Sequence, residues 1–385
     1  MALQPSTRLV FIEPSKVRHY HSTMVDGLIC AYLSAGLAER YGVPVLYAHR
    51  SFFAHLSEQA RAGVEYRPIR VLDHDKRRLV LQSLLEAWTV FLALVKLKRG
   101  ELLFVTTIMP SALLLVEIVK KLFWFKRLVS MQHGELEGAV ESDRQHLLSY
   151  GFYIINWLRL RRWFGSSIEI AVLDRFIATA VLERFEGAFN PERTYNIPQT
   201  MMASNMDALP SMRGETRICF IGNDTKNKGL SIYKKLASRF PRFDFRVVGG
   251  GTDRSLERGE VKELATNQDF LNAVWRCDIA IFPYTGGYTM SLSGAAIDAM
   301  ACGLHLLATD RPCFVALAEA FGPDCVTICR DEEEMAARLT DPKWVAEKRA
   351  CRAVRIEKIA KTRYGLDNVG LAIEAMLRRE QFGRT

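Results

Sequence analysis

The sequence predicts a parallel α/β protein made of two tandem doubly wound domains. Short β-rich apolar runs alternate with longer helix-patterned stretches along almost the whole chain, the pattern of strand, crossover helix and parallel strand. With 385 residues and 49% hydrophobic content, the chain can bury two cores of ordinary domain size. A polar, Met-rich, proline-containing segment, QTMMASNMDALPSMRGE, interrupts the alternation near the middle.

In the first half the predicted strands are LVFIE (9–13), PVLYA (44–48), YRPIRV (66–71), LLFVTT (102–107), RLVSM (127–131) and RFIATA (175–180). In the second they are RICFI (217–221), FRVVG (245–249), IAIF (279–282), HLLAT (305–309) and CVTIC (325–329). The interrupting segment places a linker at 199–214, between a first domain at 1–198 and a second at 215–365. A C-terminal helix over 366–385 is expected to return to the first domain. Tandem doubly wound domains are expected to face a central cleft, lined by loops at the carboxyl ends of the strands, where ligands of such folds bind. No short repeat or low-complexity tract is present, which sets solenoids aside.

Composition narrows the function. The eight cysteines are scattered, with no two-residue spacing of a zinc or dithiol motif, so a reduced cytoplasmic setting and no metal are expected. The apolar run 102–116 is shorter than the ~20 residues of a spanning helix and contains Pro110. No charged segment leads into a long apolar stretch at the N-terminus, so no signal peptide is expected. The formal net charge of +9 favours anionic partners, but no nucleic-acid-binding motif accompanies it. Two basic and aromatic stretches, KKLFWFKR (120–127) and NWLRLRRWF (156–164), suit an anionic membrane surface. They equally suit helices packed on their own domain with arginines reaching water.

The residues that carry chemistry follow two strands of the second half. After RICFI comes IGNDTKNKG (221–229), in which Gly222 permits a sharp turn and close ligand approach while Lys228 offers a compact charge for phosphate. After IAIF comes PYTGGYTMSLSGAAIDAMACG (283–303). Here Ser293 reads as an N-cap, Gly294 begins a helix and Gly303 stops it. The free N–H groups at that helix start form an anion site, and Asp298, about one turn on, is placed to accept from ribose hydroxyls. Together they suggest a diphosphate with a sugar on each side.

These motifs resemble the group-1 glycosyltransferases of bacterial polysaccharide and glycolipid synthesis, nucleotide-sugar enzymes of the GT-B class. In that family the second domain opens with strand-Gly-Arg, five further positions and Lys-Gly, matched by Gly222, Asn223 and Lys228-Gly229. A Gly-rich turn follows, matched by VVGGG (247–251) with Gly250, then an Asp before a strand, matched by Asp278. The closing signature, two glutamates eight positions apart running into Ala-Met-Ala-x-Gly, is matched by Asp298-Ala-Met-Ala-Cys-Gly303. The resemblance covers most of 215–375 and is only architectural before that. It implies two Rossmann-like domains, a nucleotide-sugar donor, a saccharide or lipid-linked acceptor, no metal cofactor, and a cytoplasmic enzyme peripheral on the inner face of the cell membrane.

The departures are informative. Asn223 stands where the family has arginine, leaving Lys226 to substitute; Met290 stands at the first glutamate, and Asp298 shortens the second. The Gly-Gly loop after the first strand is replaced by PSKVRHYHS (14–22). Donor binding tolerates these changes better than the family's retaining stereochemistry does. For proton transfer, MQHGELEGAVESD (131–143) offers His133, which corresponds to a histidine many relatives place beside the donor sugar, with Glu135 and Glu137 close behind. The alternative is His21, just before a predicted N-cap at Ser22. Two rival readings share the architecture: a sugar-nucleotide 2-epimerase, whose Ser-Gly-Gly turn LSGAA half matches, and a catalytically inert partner subunit, suggested by the missing arginine and glutamate.

Overall fold

The computed structural model describes residues 7–14, 19–71, 79–121, 126–132, 134, 136–137, 152–201, 215–223, 226–265 and 267–379. The chain divides into two compact units. One is Met1–Thr200 with Met290–Leu292 and Leu366–Thr385; the other is Met201–Thr289 with Ser293–Gly365. Most of the predicted linker, 202–214, lies outside the described residues.

The first unit is built on strands β1 (Arg8–Ile12), β2 (Val45–Ala48), β3 (Glu65–Pro68), β4 (Glu101–Val105), β5 (Arg127–Gln132), β6 (Glu169–Val172) and β7 (Thr194–Asn196). Among the described residues they form one sheet in the order β3-β2-β1-β4-β5-β6-β7, every pairing parallel. Parallel strands covered on both faces read as unbroken apolar runs, which is why β1, β2, β4 and β5 were legible, whereas the short β6 (EIAV) and β7 (TYN) were not read from the sequence. Phe11 pairs with Phe104 across β1 and β4, ring centroids 5.6 Å apart. The helices are α1 (His19–Ser34), α2 (Leu37–Tyr41), α3 (Arg50–Ala54), α4 (Glu58–Ala62), α5 (Leu79–Lys96), α6 (Pro110–Lys120), α7 (Phe152–Phe164) and α8 (Arg175–Arg184).

One predicted strand is a helix. RFIATA opens α8, because Asp174 caps it, accepting from Phe176 N at 3.2 Å, and Ile177, Ala178 and Val181 bury at helical spacing. A short apolar run fits either period, and the cap decides between them. Ser22 also differs from expectation, since α1 begins upstream of it at His19 and makes it an interior helix residue. Buried Met24, Val25, Leu28, Ile29 and Tyr32 supply the stripe that carries this helix.

The second unit has strands β8 (Arg217–Ile221), β9 (Asp244–Gly249), β10 (Thr252–Ser255), β11 (Val261–Glu263), β12 (Ile279–Phe282), β13 (His305–Thr309) and β14 (Val326–Cys329), in the order β11-β10-β9-β8-β12-β13-β14. The five strands read from sequence pair in parallel. Strands β10 and β11 add an antiparallel edge, tied by Arg246, whose Nε donates to Asp253 at 2.7 Å and whose Nη1 donates to Asp244 at 3.2 Å. Helices α9 (Leu230–Arg239), α10 (Asn267–Trp275), α11 (Gly294–Ala301), α12 (Pro312–Phe321), α13 (Glu332–Thr340), α14 (Pro342–Ala350) and α15 (Arg352–Ala360) complete it. Its core joins Phe220, Tyr233, Phe245, Ile281, Leu307 and Met335.

The C-terminal helix α16 (Leu366–Arg378) belongs to the first unit, where it packs on α1. The approach is close enough that a Cβ on Gly370 would lie 2.6 Å from the carbonyl oxygen of Ala31. Ser34 Oγ donates to Asp367 at 2.7 Å, and Arg40 pairs with Glu374.

The basic stretch in α7 is divided between core and surface. Trp157 and Arg161 are buried, whereas Arg159, Arg162, Trp163 and Phe164 are exposed. Arg161 Nη1 donates to Glu117 at 2.7 Å, and Glu117 also accepts from Trp157 Nε1 at 3.1 Å and from Ser167 Oγ at 2.6 Å. Arg161 further donates to the carbonyls of Ile168 and Ala188. Arg161 is therefore a structural residue and no part of a membrane-facing arginine cluster. Four of the residues of KKLFWFKR, 122–125, lie outside the described residues.

Removing one partner of a buried ion pair strands the other charge and costs about 3 to 5 kcal/mol. Arg161→Ala should therefore shift the urea unfolding midpoint strongly, followed by tryptophan fluorescence, whereas exposed Arg159→Ala should change stability by less than about 0.5 kcal/mol. Equal effects of the two substitutions would contradict the buried pair.

Candidate active site

The candidate donor site is built in the second unit from the loops that follow β8, β9 and β12. At the end of β8 the chain turns at Gly222, whose φ is 121° and whose N–H donates to Val248 O at 2.9 Å. Lys226–Lys228 form a 3-10 turn, and Gly229, with φ 67°, precedes α9. Glycine is required where the loops cross. A Cβ on Gly229 would sit 1.9 Å from Pro283 O, and one on Gly249 would sit 2.4 Å from Gly222 O. The β8 and β12 loops are also joined by Thr285 N donating to Asn227 O at 2.9 Å.

This crossing folds Lys228 back over the turn. An ideal Cβ on Gly222 would lie 2.8 Å from Lys228 Nζ, which also sits 6.0 Å from the centroid of the Tyr284 ring. Burial lowers the pKa of the ammonium, with no carboxylate beside it among the described residues to offset that cost. Asn223, at the family's arginine position, is exposed, and its Oδ1 would be 3.3 Å from a Cβ on Gly250. The side chain of Lys226 lies outside the described residues.

Tyr284 links this cation to the helix α11. Its phenol is buried, which raises its pKa, and its oxygen is 3.1 Å from Ser293 Oγ. The Tyr284 carbonyl accepts from Thr309 Oγ1 at 2.8 Å and from Arg311 Nε at 3.2 Å. Ser293 is the N-cap, its oxygen accepting from Ala296 N at 3.4 Å. That leaves the first N–H groups of α11 without helix partners, as at any helix start. Asp298 sits one turn further along, half-buried, and its desolvated surroundings push its carboxyl up to about 7. No side chain or backbone group among the described residues hydrogen-bonds that carboxyl. Among the described residues no group of three or more His, Cys, Asp or Glu is placed to hold a metal ion.

Gly222, Asn223, Lys228, Gly250, Ser293, Gly294 and Asp298 thus all belong to one unit and one end of its sheet. Tyr284 and the crossing glycines Gly229 and Gly249 are additions that sequence reasoning missed. The sole hint of Tyr284 in sequence is its place directly after the Pro that ends β12.

In the first unit, His133 and Glu135 lie outside the described residues, and His21 falls within α1 with its side chain likewise outside them. Glu137 is described: its Oε2 accepts from Met290 N at 2.7 Å and from Ser291 Oγ at 3.3 Å. Met290, at the family's first glutamate position, is fully buried in this unit. A cavity of about 130 Å³ opens beyond the ends of β1 and β3, lined by Pro14, Arg70, Val71 and, from α5, Gln82, Leu85 and Glu86.

Residues 215–341 match the family described as Glycosyl transferases group 1, the span that holds every described donor-site residue. The second unit carries a group 1 glycosyltransferase domain. The chain has GT-B architecture along almost its full length, as three solved structures of like fold illustrate. HepE of Anabaena in complex with UDP-glucose is 15% identical, with a TM-score of 0.63 over 96% of this chain and 99% of that one. Sucrose-phosphate synthase from Thermosynechococcus elongatus is 13% identical, with a TM-score of 0.65 over 97% and 98%. WaaG, a glycosyltransferase involved in lipopolysaccharide biosynthesis, is 14% identical, with a TM-score of 0.62 over 96% and 98%. No curated protein sequence matches the chain.

The raised carboxyl of Asp298 fixes a pH dependence. Because the folded protein keeps this proton up to about 7 while the unfolded chain loses it near 3.8, the folded state binds more protons between those values. Stability therefore falls as pH rises through that window and is level above it. Relative to wild type, ligand-free Asp298→Asn should melt progressively higher from pH about 4 to about 7, with a constant gap beyond. The gap should be smaller than the full shift implies, because the carboxyl is half-exposed. A gap that is constant across the whole range would mean that Asp298 titrates normally.

Proposed function

We propose that the chain transfers a sugar from a nucleotide-diphosphate sugar to a saccharide or lipid-linked acceptor. In this reading it works in the cytoplasm, peripheral on the inner face of a bacterial cell membrane, in exopolysaccharide, O-antigen or glycolipid synthesis. The observation that carries the donor class is Lys228, a desolvated ammonium without a carboxylate partner among the described residues. A diphosphate supplies the missing charge at full hydrogen-bonding strength. HepE has been solved with UDP-glucose and with UDP and glucose, which favours a uridine diphosphate sugar as the first donor to test. The involvement of WaaG in lipopolysaccharide biosynthesis favours a saccharide of the cell envelope as acceptor.

Transfer breaks the bond between the anomeric carbon and the diphosphate oxygen and forms one to an acceptor hydroxyl oxygen. The hydroxyl proton passes to a base or to the departing diphosphate. Lys228, Lys226 and the N–H groups at Ser293 and Gly294 meet the charge that develops on the leaving group, a role that requires no metal. Gly222, Asn223 and Gly250 let the backbone approach the phosphates, and Asp298 accepts from the ribose hydroxyls. His133 serves as base or orients the donor sugar, with Glu135 and His21 as the alternative groups for proton transfer. The cavity beside α5, with Arg70, Gln82 and Glu86 on its wall, suits the polar part of an acceptor.

Thermal shift against a panel of nucleotide sugars tests the donor, since a ligand at 100 times its dissociation constant stabilises by about 2.7 kcal/mol. Lys228→Met should weaken donor binding by about 1.5 to 3 kcal/mol in calorimetry, the worth of a charge-assisted phosphate contact. The ligand-free variant should melt no lower than wild type, because the substitution removes a charge buried without compensation. Unchanged donor affinity would reduce IGNDTKNKG to a turn. His133→Ala should lower turnover about 10² to 10⁴-fold while nucleotide affinity stays close to wild type. A loss in His21→Ala with none in His133→Ala would move proton transfer to α1.

A further inference from the structure

The first half of helix α5 is inside out, while its second half buries Val90, Ala93 and Leu94. Gln82, Ser83 and Glu86 are buried, with Glu86 accepting from Gln82 Nε2 at 3.2 Å and from Met109 N at 2.9 Å, and with Ser83 bonded to Ser111. Leu81, Leu84, Leu85, Trp88, Leu92 and Val95 are exposed, and their spacing of three or four residues makes one stripe along the helix. A helix on a water-facing surface has the reverse arrangement. Helix α6 packs beside α5, and α7 packs beside α6. Ile118 of α6 and Trp163 and Phe164 of α7 are exposed as well, the last two 73% and 67%. Lys121 ties the ends of α6 and α7 together, its Nζ 5.0 Å from the Phe164 ring and donating to Phe164 O at 3.2 Å.

Charge on this layer has one sign. Helices α5 and α6 each carry a single carboxylate, Glu86 and Glu117, and both are buried in hydrogen bonds; α7 carries none. Lys96, Lys98, Arg99, Arg159 and Arg162 are exposed along α5 and α7 and just beyond α5. A second copy docked by two-fold symmetry would set this cationic rim against itself. An uncharged apolar partner would leave the rim unused. An anionic interface with an apolar interior fits both features.

We propose that the outer face of α5, α6 and α7 docks on an anionic lipid bilayer, the stripe entering the headgroup boundary and the rim meeting lipid phosphates. The proposal deepens the peripheral-membrane reading above and rests on it. It also gives that reading a geometry within the first unit. Leu85 belongs both to the stripe and to the wall of the 130 Å³ cavity, so a lipid-linked acceptor entering from the bilayer edge meets Gln82 and Glu86 directly.

The test is co-sedimentation of the full chain with phosphatidylcholine vesicles, with and without phosphatidylglycerol, in the absence of any sugar donor or acceptor. Binding should rise with phosphatidylglycerol and fall with salt, and brominated acyl chains should quench tryptophan emission, less so in Trp88→Ser and least in Trp88→Ser with Trp163→Ser. The combined variant Leu84→Ser, Trp88→Ser and Leu92→Ser should bind at least about tenfold more weakly, as expected from the apolar area it withholds. Arg159→Glu with Arg162→Glu should weaken binding at low salt only, where charges are unscreened. These positions are exposed, so circular dichroism melts should match wild type and separate lost docking from lost folding. Folded wild-type protein that ignores phosphatidylglycerol vesicles, or binds neutral ones equally, overturns the proposal. So does a dimer in sedimentation velocity that the triple serine variant dissolves, which would assign the face to a second copy. Because no nucleotide sugar is present, failure here leaves the transferase reading standing, and failure of donor binding leaves the membrane face standing.

Discussion

The candidate donor site depends on backbone segments passing one another more closely than any side chain allows. Gly249 lies against Gly222, and Gly229 lies against the carbonyl of Pro283, so the loops after β8, β9 and β12 interlock without a Cβ between them. This contact brings Lys228 over Gly222 and beside Tyr284, and through the Tyr284 hydroxyl it fixes the position of Ser293 at the start of α11. The cation and the helix N-terminus, encoded sixty-odd residues apart, are linked through Tyr284 as a consequence of packing. Tyr288, with φ 62°, adds a strained residue in the same β12 loop, a conformation a non-glycine side chain holds only where its surroundings impose it.

Much of this was legible in the sequence because of how parallel sheets bury their strands. RICFI, IAIF and HLLAT are apolar on both faces, and the catalytic loops of doubly wound domains follow directly after such runs. Gly222, Lys228, Ser293 and Asp298 could therefore be located from two contiguous stretches. What could not be read is the contact between stretches. Nothing in PYTGG says that Pro283 will meet Gly229, or that the Tyr284 hydroxyl will reach Ser293. The antiparallel edge β10 and β11 was equally hidden, since TDRS and VKE are short, charged and without alternation. RFIATA was misread because five or six mostly apolar residues carry no period, and only the cap at Asp174 resolves them.

The same limit explains the two basic stretches. In NWLRLRRWF three arginines look alike, yet Arg161 is enclosed by Glu117, Trp157 and two carbonyls while Arg159 and Arg162 face outward. Helical phase decides, and the phase follows from Trp157 and Arg161 lying four apart on the buried side. Helix α5 shows the converse. LVLQSLLEAWTVFLALVK is apolar nearly all round, so its sequence alone does not say which side faces the sheet. The choice is made by Glu86, whose carboxylate finds the N–H of Met109 at the start of α6 and is satisfied only when the polar side turns inward.

The departures from the group 1 pattern can be weighed as charges. Asn223 for arginine removes one positive charge and Met290 for glutamate removes one negative charge, so the two losses leave the net charge of the motif set unchanged. Loss of the arginine alone would weaken the hold on a diphosphate, and loss of the glutamate alone would leave an excess cation. The buried Met290 is not idle, however. Its backbone N–H donates to Glu137, a contact within the first unit. What remains for the donor is Lys228, the helix start and Asp298, the groups whose burial lacks any counterpart among the described residues. Groups held in such desolvated surroundings interact with an incoming charge or hydrogen-bond donor more strongly than the same groups in water, because water is excluded around them.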